Sequence, residues 1–112
     1  MTRETEERIG DMIEAIDRCR RYIGALDSDA TADLADMAED AIERNLQIIG
    51  EAANHLPVEI TNAHPEIAWP QIRGFRNILV HQYFGVEFEV VRDVVEAYLP
   101  ALDRALRQHQ RS

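Results

Sequence analysis

The sequence predicts an all-α fold, an antiparallel helical bundle of four main helices plus a short extra helix, and three observations carry that expectation. Apolar residues recur at spacings of three and four along most of the chain. Ala, Glu, Leu, Ile and Arg dominate while aromatics make up only 6%, and these aliphatic and long side chains lose little rotamer freedom in a helix. Gly and Pro are few, there is no linker rich in either, and Pro57, Pro65 and Gly85 mark breaks between the periodic stretches. The 112 residues, 46% of them hydrophobic, fit a single helical domain over 1–112 whose core needs neither disulfide nor metal.

The first helix is expected from Glu4 to Leu26, with Ile9, Met12, Ile13, Ile16 and Ile23 as its apolar stripe. Asp27, Ser28 and Asp29 make the break and offer N-caps. The second helix, from Thr31 to Leu56, carries two stripes. One is Leu34, Ala38, Ala41, Ile48 and Ala52; the other is Ile42, Leu46, Ile49, Ala53 and Leu56. So wide an apolar face touches neighbours on more than one side, a second subunit being one candidate. Pro57 ends this helix or starts the next turn, and residues 58–63 form a short helix stopped near His64-Pro65. Trp69-Pro70 opens the third main helix, which runs to Tyr83 with Gly85 as its C-terminal cap. The last helix spans Glu87 to Arg107, and Pro100 should kink it.

Net charge is −9, which argues against nonspecific binding of nucleic acid. Distribution matters more than the sum. Fourteen of the 21 acids fall in residues 1–51, and none lies between Ile67 and Val86, where Arg73, Arg76 and His81 sit. All twelve basic residues are Arg; its planar guanidinium matches phosphate oxygens, although a codon bias explains the excess equally well. The N-terminus lacks a signal core and no uncharged stretch is long enough for a membrane span, so a cytoplasmic protein is expected. Cys19, the single cysteine, is expected to be a small, partly buried residue and not a reactive thiol.

Within residues 70–83 the stripe Ile72, Phe75, Leu79 explains a helix but not the crowding of Arg73, Arg76, Asn77, His81 and Tyr83. Histidine moves protons near neutral pH and arginine stabilises charge building on a phosphate. The alternative is a solvated helix face carrying a satisfied histidine. Glu51 and His55 lack the further ligands of a zinc site and read as a surface pair. His64 reads as a turn residue, His109 as a tail residue and Trp69 as a core anchor.

Arg76-Asn77, three apolar residues, then His81-Gln82-Tyr83 resembles the R-x4-H-x-Y motif of HepT-like toxins in the HEPN superfamily. The resemblance extends to AIERNLQIIGEAANHLP, HPEIAWPQIRGFRNILVHQYFGV and the closing YLPAL, roughly residues 41–102. Ala68 departs from the proline associated with that position. The resemblance implies a homodimer that cuts RNA without a metal or other cofactor, with Arg76 and His81 catalytic. It also implies a small nucleotidyltransferase antitoxin of the MNT type as partner. That enzyme would attach adenylate to Tyr83 and silence the nuclease. No membrane partner is implied.

On a straight helix Arg76 and His81 lie about 140° apart, whereas Arg76 and Tyr83 are only about 20° apart. Arg73, Asn77 and His81 form an i, i+4, i+8 row, suited to supporting or RNA-binding roles. Asn77 either fixes the His81 ring or is a plain surface amide. Two arrangements would bring Arg76 and His81 to one phosphate: a helix that loosens near His81, or two subunits sharing one cleft across a two-fold axis, the preferred arrangement. In the mechanism expected, His81 exchanges a proton with the 2′-OH or the leaving 5′-oxygen while Arg76 steadies the phosphorane, giving a 2′,3′-cyclic phosphate. A competing function is a non-catalytic module that binds a nucleotidyltransferase or a nucleotide through the same residues.

Overall fold

A computed structural model of the chain describes residues 1–28, 30–82 and 88–110, leaving the side chains of 79–82 outside the description. Among the described residues all regular structure is helical, in six segments.

Helix α1 spans Arg3–Asp27 and α2 spans Ala32–Ala53. Thr2 caps α1 by accepting a hydrogen bond from the Thr5 amide at 3.1 Å, and Glu4 and Glu6 lie in the positive first turn. The cap of α2 is Thr31, whose hydroxyl accepts from the Leu34 amide at 3.3 Å. That corrects the expectation of a cap from Asp27, Ser28 or Asp29; Asp29 itself lies outside the described residues. Helix α2 also ends earlier than expected. The Asn54 amide and its side-chain Nδ2 both donate to the Gly50 carbonyl at 3.3 Å. The His55 and Leu56 amides then tighten the turn by donating three residues back, to Ala52 at 3.0 Å and Ala53 at 3.4 Å, and Leu56 packs into the core from beyond the helix.

Helix α3, Val58–Ala63, follows Pro57. The third main helix expected over Trp69–Tyr83 is divided instead: α4 spans Trp69–Arg73 and α5 spans Phe75–Gln82, with Gly74 between. Helix α6, Phe88–Arg107, remains helical through Pro100. Gly85 and Glu87 lie outside the described residues.

The packing follows the stripes. The Cys19 thiol meets the Ile42 carbonyl at 3.8 Å and the Arg8 guanidinium meets the His55 carbonyl at 3.5 Å. Rising numbers on α1 therefore pair with falling numbers on α2, so the two are antiparallel. The same logic sets α6 antiparallel to α1: Asp17 pairs with Arg107 at 3.1 Å, Arg20 with Asp103 at 3.4 Å and Asp27 with Arg92 at 2.9 Å. Helix α1 thus lies between α2 and α6. Ile9, Met12, Ile16, Ile42, Leu46, Ile49, Phe75, Val91, Leu99, Leu102 and Leu106 are fully or almost fully buried in one core. Each such side chain contributes about 1.5–3 kcal/mol by leaving water.

Candidate functional site

The acid-free segment is held by Trp69. Its ring is buried, and Nε1 donates to the carbonyls of Thr61 at 3.1 Å and His64 at 3.0 Å. Those bonds fix the start of α4 against the end of α3, so the indole is a core anchor, as expected.

Gly74 then redirects the chain. It sits at φ −88, ψ 8, the bridge region, and its amide is shared between the Pro70 and Gln71 carbonyls at 3.1 Å each. The Gly74 carbonyl accepts from Asn77 at 2.9 Å and from Ile78 at 3.4 Å, which starts α5. The break lies against Gly50 of α2. A Cβ on Gly50 would stand 3.0 Å from the Ile72 carbonyl oxygen and 3.4 Å from the Phe75 Cβ. Only glycine allows α2 and the break to approach this closely. Ile72 and Phe75 are buried behind it, and the Phe75 ring stacks at a tilt on Tyr98 of α6, 5.8 Å between centroids.

This frame leaves Arg73, Arg76 and Asn77 exposed. Arg73 closes α4 while Arg76 and Asn77 lie in the first turn of α5. The continuous row Arg73–Asn77–His81 expected from one helix is therefore interrupted after its first member, because Gly74 breaks the ladder. Arg76 and His81 both fall in α5, so their backbone positions remain about 140° apart around the axis. The His81 side chain and all of Tyr83 lie outside the described residues.

The two arginines are electrostatically uncommitted. Arg3, Arg8, Arg18, Arg20, Arg92 and Arg107 all pair with carboxylates; among the described residues Arg73 and Arg76 pair with none. Among the described residues Arg21, Arg44 and Arg104 also lack a carboxylate partner, but only Arg73 and Arg76 lie in the acid-free segment, where both are open to an external anion. Among the described residues no group of three or more His, Cys, Asp or Glu is arranged to hold a metal, and no described helix is long and apolar enough to cross a membrane. Glu51 and His55 are both exposed.

Sequence reasoning missed one polar cluster. His64 does lie in the turn region between α3 and α4, but it is buried there, and its Nε2 lies 2.7 Å from Nε2 of His109. Nδ1 of His64 lies 3.3 Å from Glu66 Oε1. The interaction links residues far apart in sequence, so no local pattern could have signalled it. Cys19 is more deeply buried than expected, and burial pushes its thiol up to about 12, which keeps it protonated and unreactive.

Comparison with known proteins bears on the same segment. The profile of a family described as "Ribonuclease HepT-like" matches residues 12–109. A protein of Caldanaerobacter subterraneus subsp. tengcongensis named "Putative RNase TTE0752" is 35% identical over 68 residues, covering 61% of each chain. "Probable ribonuclease HepT" of Thermococcus cleftensis is 40% identical over 62 residues, which is 55% of this chain and 56% of that protein. "Gamma-glutamylcyclotransferase and putative RNase MJ0434" of Methanocaldococcus jannaschii is 30% identical over 105 residues, 91% of this chain and 46% of the relative. The matches thus span between 46% and 61% of these relatives' own lengths. No solved structure matches significantly. A profile match over nearly the whole chain, including α4 and α5, which carry Arg73 and Arg76, establishes that this protein belongs to the HepT-like ribonuclease family.

Proposed function

We propose that the protein is a metal-independent endoribonuclease, the toxin of a toxin–antitoxin pair, with Arg76 and His81 as its catalytic residues. The observation that carries this reading is the pair of exposed, unpaired arginines Arg73 and Arg76 on an acid-free segment of a chain that matches the family over 12–109. Arg76 stabilises the charge that develops on the attacked phosphate. Arg73 holds a neighbouring phosphate of the same strand, and Asn77 beside it supports strand binding. His81 takes the proton from the 2′-OH or delivers one to the 5′-oxygen as it leaves. The 2′-oxygen forms the new bond to phosphorus, the bond to the 5′-oxygen breaks, and the products are a 2′,3′-cyclic phosphate and a 5′-OH. DNA lacks the nucleophile and is not a substrate.

Because Arg76 and His81 are five residues apart on α5, one copy of the helix faces a phosphate with only one of them at close range. A homodimer that pairs the two α5 helices supplies the other from its second copy. Tyr83, two residues beyond His81, is the regulated position: adenylate transferred to its oxygen by an MNT-type nucleotidyltransferase adds a bulky anion that competes with the RNA phosphate.

The test is cleavage of a defined RNA by purified protein, with and without EDTA. The wild type should leave cyclic-phosphate ends in both conditions, while Arg76→Ala and His81→Ala should lose cleavage with unchanged circular dichroism. Activity abolished by EDTA and restored by a divalent metal would defeat the mechanism. The net charge of −9 favours the competing reading, a non-catalytic binder of nucleotide or nucleotidyltransferase. RNA left intact by the wild type, together with nucleotide or nucleotidyltransferase binding that Arg76→Ala abolishes, would favour that one.

A further inference from the structure

A groove of about 460 Å³ runs between the last turns of α1 and the first turns of α2, lined by Tyr22, Ala25, Leu34, Met37, Ala38 and Ala41. It is the apolar stripe of α2 that the chain itself does not cover. Farther along the same helix Ile42, Leu46, Ile49 and Ala53 are buried, yet Leu34 is 56% and Met37 66% exposed. Leu34 and Met37 stand one turn apart, so two large apolar side chains border the groove on one helix face.

We propose that this groove is the docking site for a basic amphipathic helix of a partner protein. A groove between two antiparallel helices is shaped to take a third helix, whose ridges of side chains fall between those already there. The sign of the charge follows from the flank. Residues 32–43 contain Asp33, Asp36, Glu39, Asp40 and Glu43 and no base. Among the described residues none of these five carboxylates forms an ion pair, in contrast to those facing α6. Asp33 and Asp40 lie one turn before and one turn after Met37, so they border the apolar floor. Crowding is already felt here: burial first, then the neighbouring carboxylates, push Glu39 and Glu43 above the ordinary range. On the α1 flank the cations are engaged at home. Arg18 pairs with Glu14 at 3.6 Å, and the Arg21 guanidinium lies over the Tyr22 ring at 5.8 Å.

The same charges exclude other occupants. A second copy paired across this face would bring two sets of unpaired carboxylates together in a chain of charge −9, and RNA or an anionic membrane would meet the same repulsion. A helix with apolar side chains at i, i+3, i+4 and i+7 and Lys or Arg beside them satisfies both the floor and the rim. This surface is independent of the cleavage reading, and its readout is binding.

The probe is a labelled helical peptide with Leu at that spacing and Lys elsewhere, compared with its Leu/Glu counterpart by anisotropy against the full chain, with the Met37 methyl followed by NMR. The Lys peptide should bind and shift the Met37 methyl, while the Glu peptide should not bind. Met37→Gln, at an exposed position and so compatible with folding, should weaken binding about tenfold. Asp33→Lys with Asp40→Lys should transfer the preference to the Glu peptide. Asp93→Lys with Glu96→Lys, the same charge change on α6, should not. Absence of binding, an unmoved Met37 methyl, or equal loss from both charge-changed pairs would overturn the proposal. A dimeric mass that Met37→Gln converts to monomer would also overturn it, in favour of a second copy.

Discussion

Among the described residues Arg76 has no carboxylate to leave when a phosphate arrives, and that freedom makes its substitution diagnostic. Arg76→Ala should lower RNA cleavage by about 10²- to 10³-fold, the usual effect of removing a donor that meets developing charge. Arg76→Lys should recover only part of this, because an ammonium cannot span two phosphate oxygens. Arg73→Ala should act mainly on KM and flatten the salt dependence of binding, since a strand-holding contact acts in ground and transition states alike. Rates measured against RNA concentration at two ionic strengths distinguish the two roles. Cys19 gives a control that needs no substrate. Its thiol is fully buried and pushed up to about 12, so iodoacetamide near pH 8 should leave it unmodified until denaturant unfolds the chain; rapid alkylation of native protein would contradict the packing. The exposed Arg73, Arg76 and Asn77 were legible from sequence because the stripe of Ile72 and Phe75 fixes which face is buried. The His64–His109 contact was not, because neither residue sits in a pattern that points at the other.

Between residues and the molecule lie the helices, and the informative departure there is the break at Gly74. Sequence periodicity joins Ile72, Phe75 and Leu79 into one stripe, and a single glycine within such a pattern costs only about 1 kcal/mol, too little to forbid a continuous helix. What divides it is tertiary: the Ile72 carbonyl approaches to within 3.0 Å of the place a Gly50 Cβ would occupy. The first, second and short helices were read to within about three residues because caps and prolines are local signals; a close approach between separate elements is not. Gly50→Ala should therefore destabilise. A methyl against a backbone oxygen cannot be relieved by a rotamer change, and overpacking of this kind costs about 1–3 kcal/mol, more than the helix propensity gained. Gly24→Ala in α1, where an added Cβ meets nothing within 4 Å, should stabilise by about 0.5–1 kcal/mol. Denaturant midpoints that move in opposite directions would verify the contrast. Because Gly50 positions the segment bearing Arg73 and Arg76, the Gly50→Ala protein should also lose cleavage beyond its loss of folded fraction.

At the scale of the whole molecule, the last turn is fastened to the connection that launches the site. His109 follows α6, and His64 lies between α3 and α4 with its carbonyl holding the Trp69 indole. Two Nε2 atoms 2.7 Å apart leave room for one hydrogen, donated by one ring and accepted by the other. Glu66 Oε1 lies 3.3 Å from Nδ1 on the far side of the His64 ring. A positive charge on His109 is therefore disfavoured at this contact. Burial first and the His64 ring second hold His109 below its ordinary value. The sign follows from linkage: a group more easily protonated when unfolded adds stability above its unfolded value, about pH 6.5 for histidine, and that stability is lost as pH falls through the lower folded value. The raised Glu39 and Glu43 act in the opposite direction, since protonation relieves their repulsion, but in the more acidic carboxylate range. Thermal unfolding should thus show the melting temperature falling between about pH 7 and pH 5.5. His109→Gln, which retains a hydrogen-bonding group and cannot take a charge, should flatten that fall while leaving the carboxylate region unchanged. A wild type and variant with parallel pH profiles would show that the His64–His109 contact adds nothing to the coupling between the end of α6 and the start of α4.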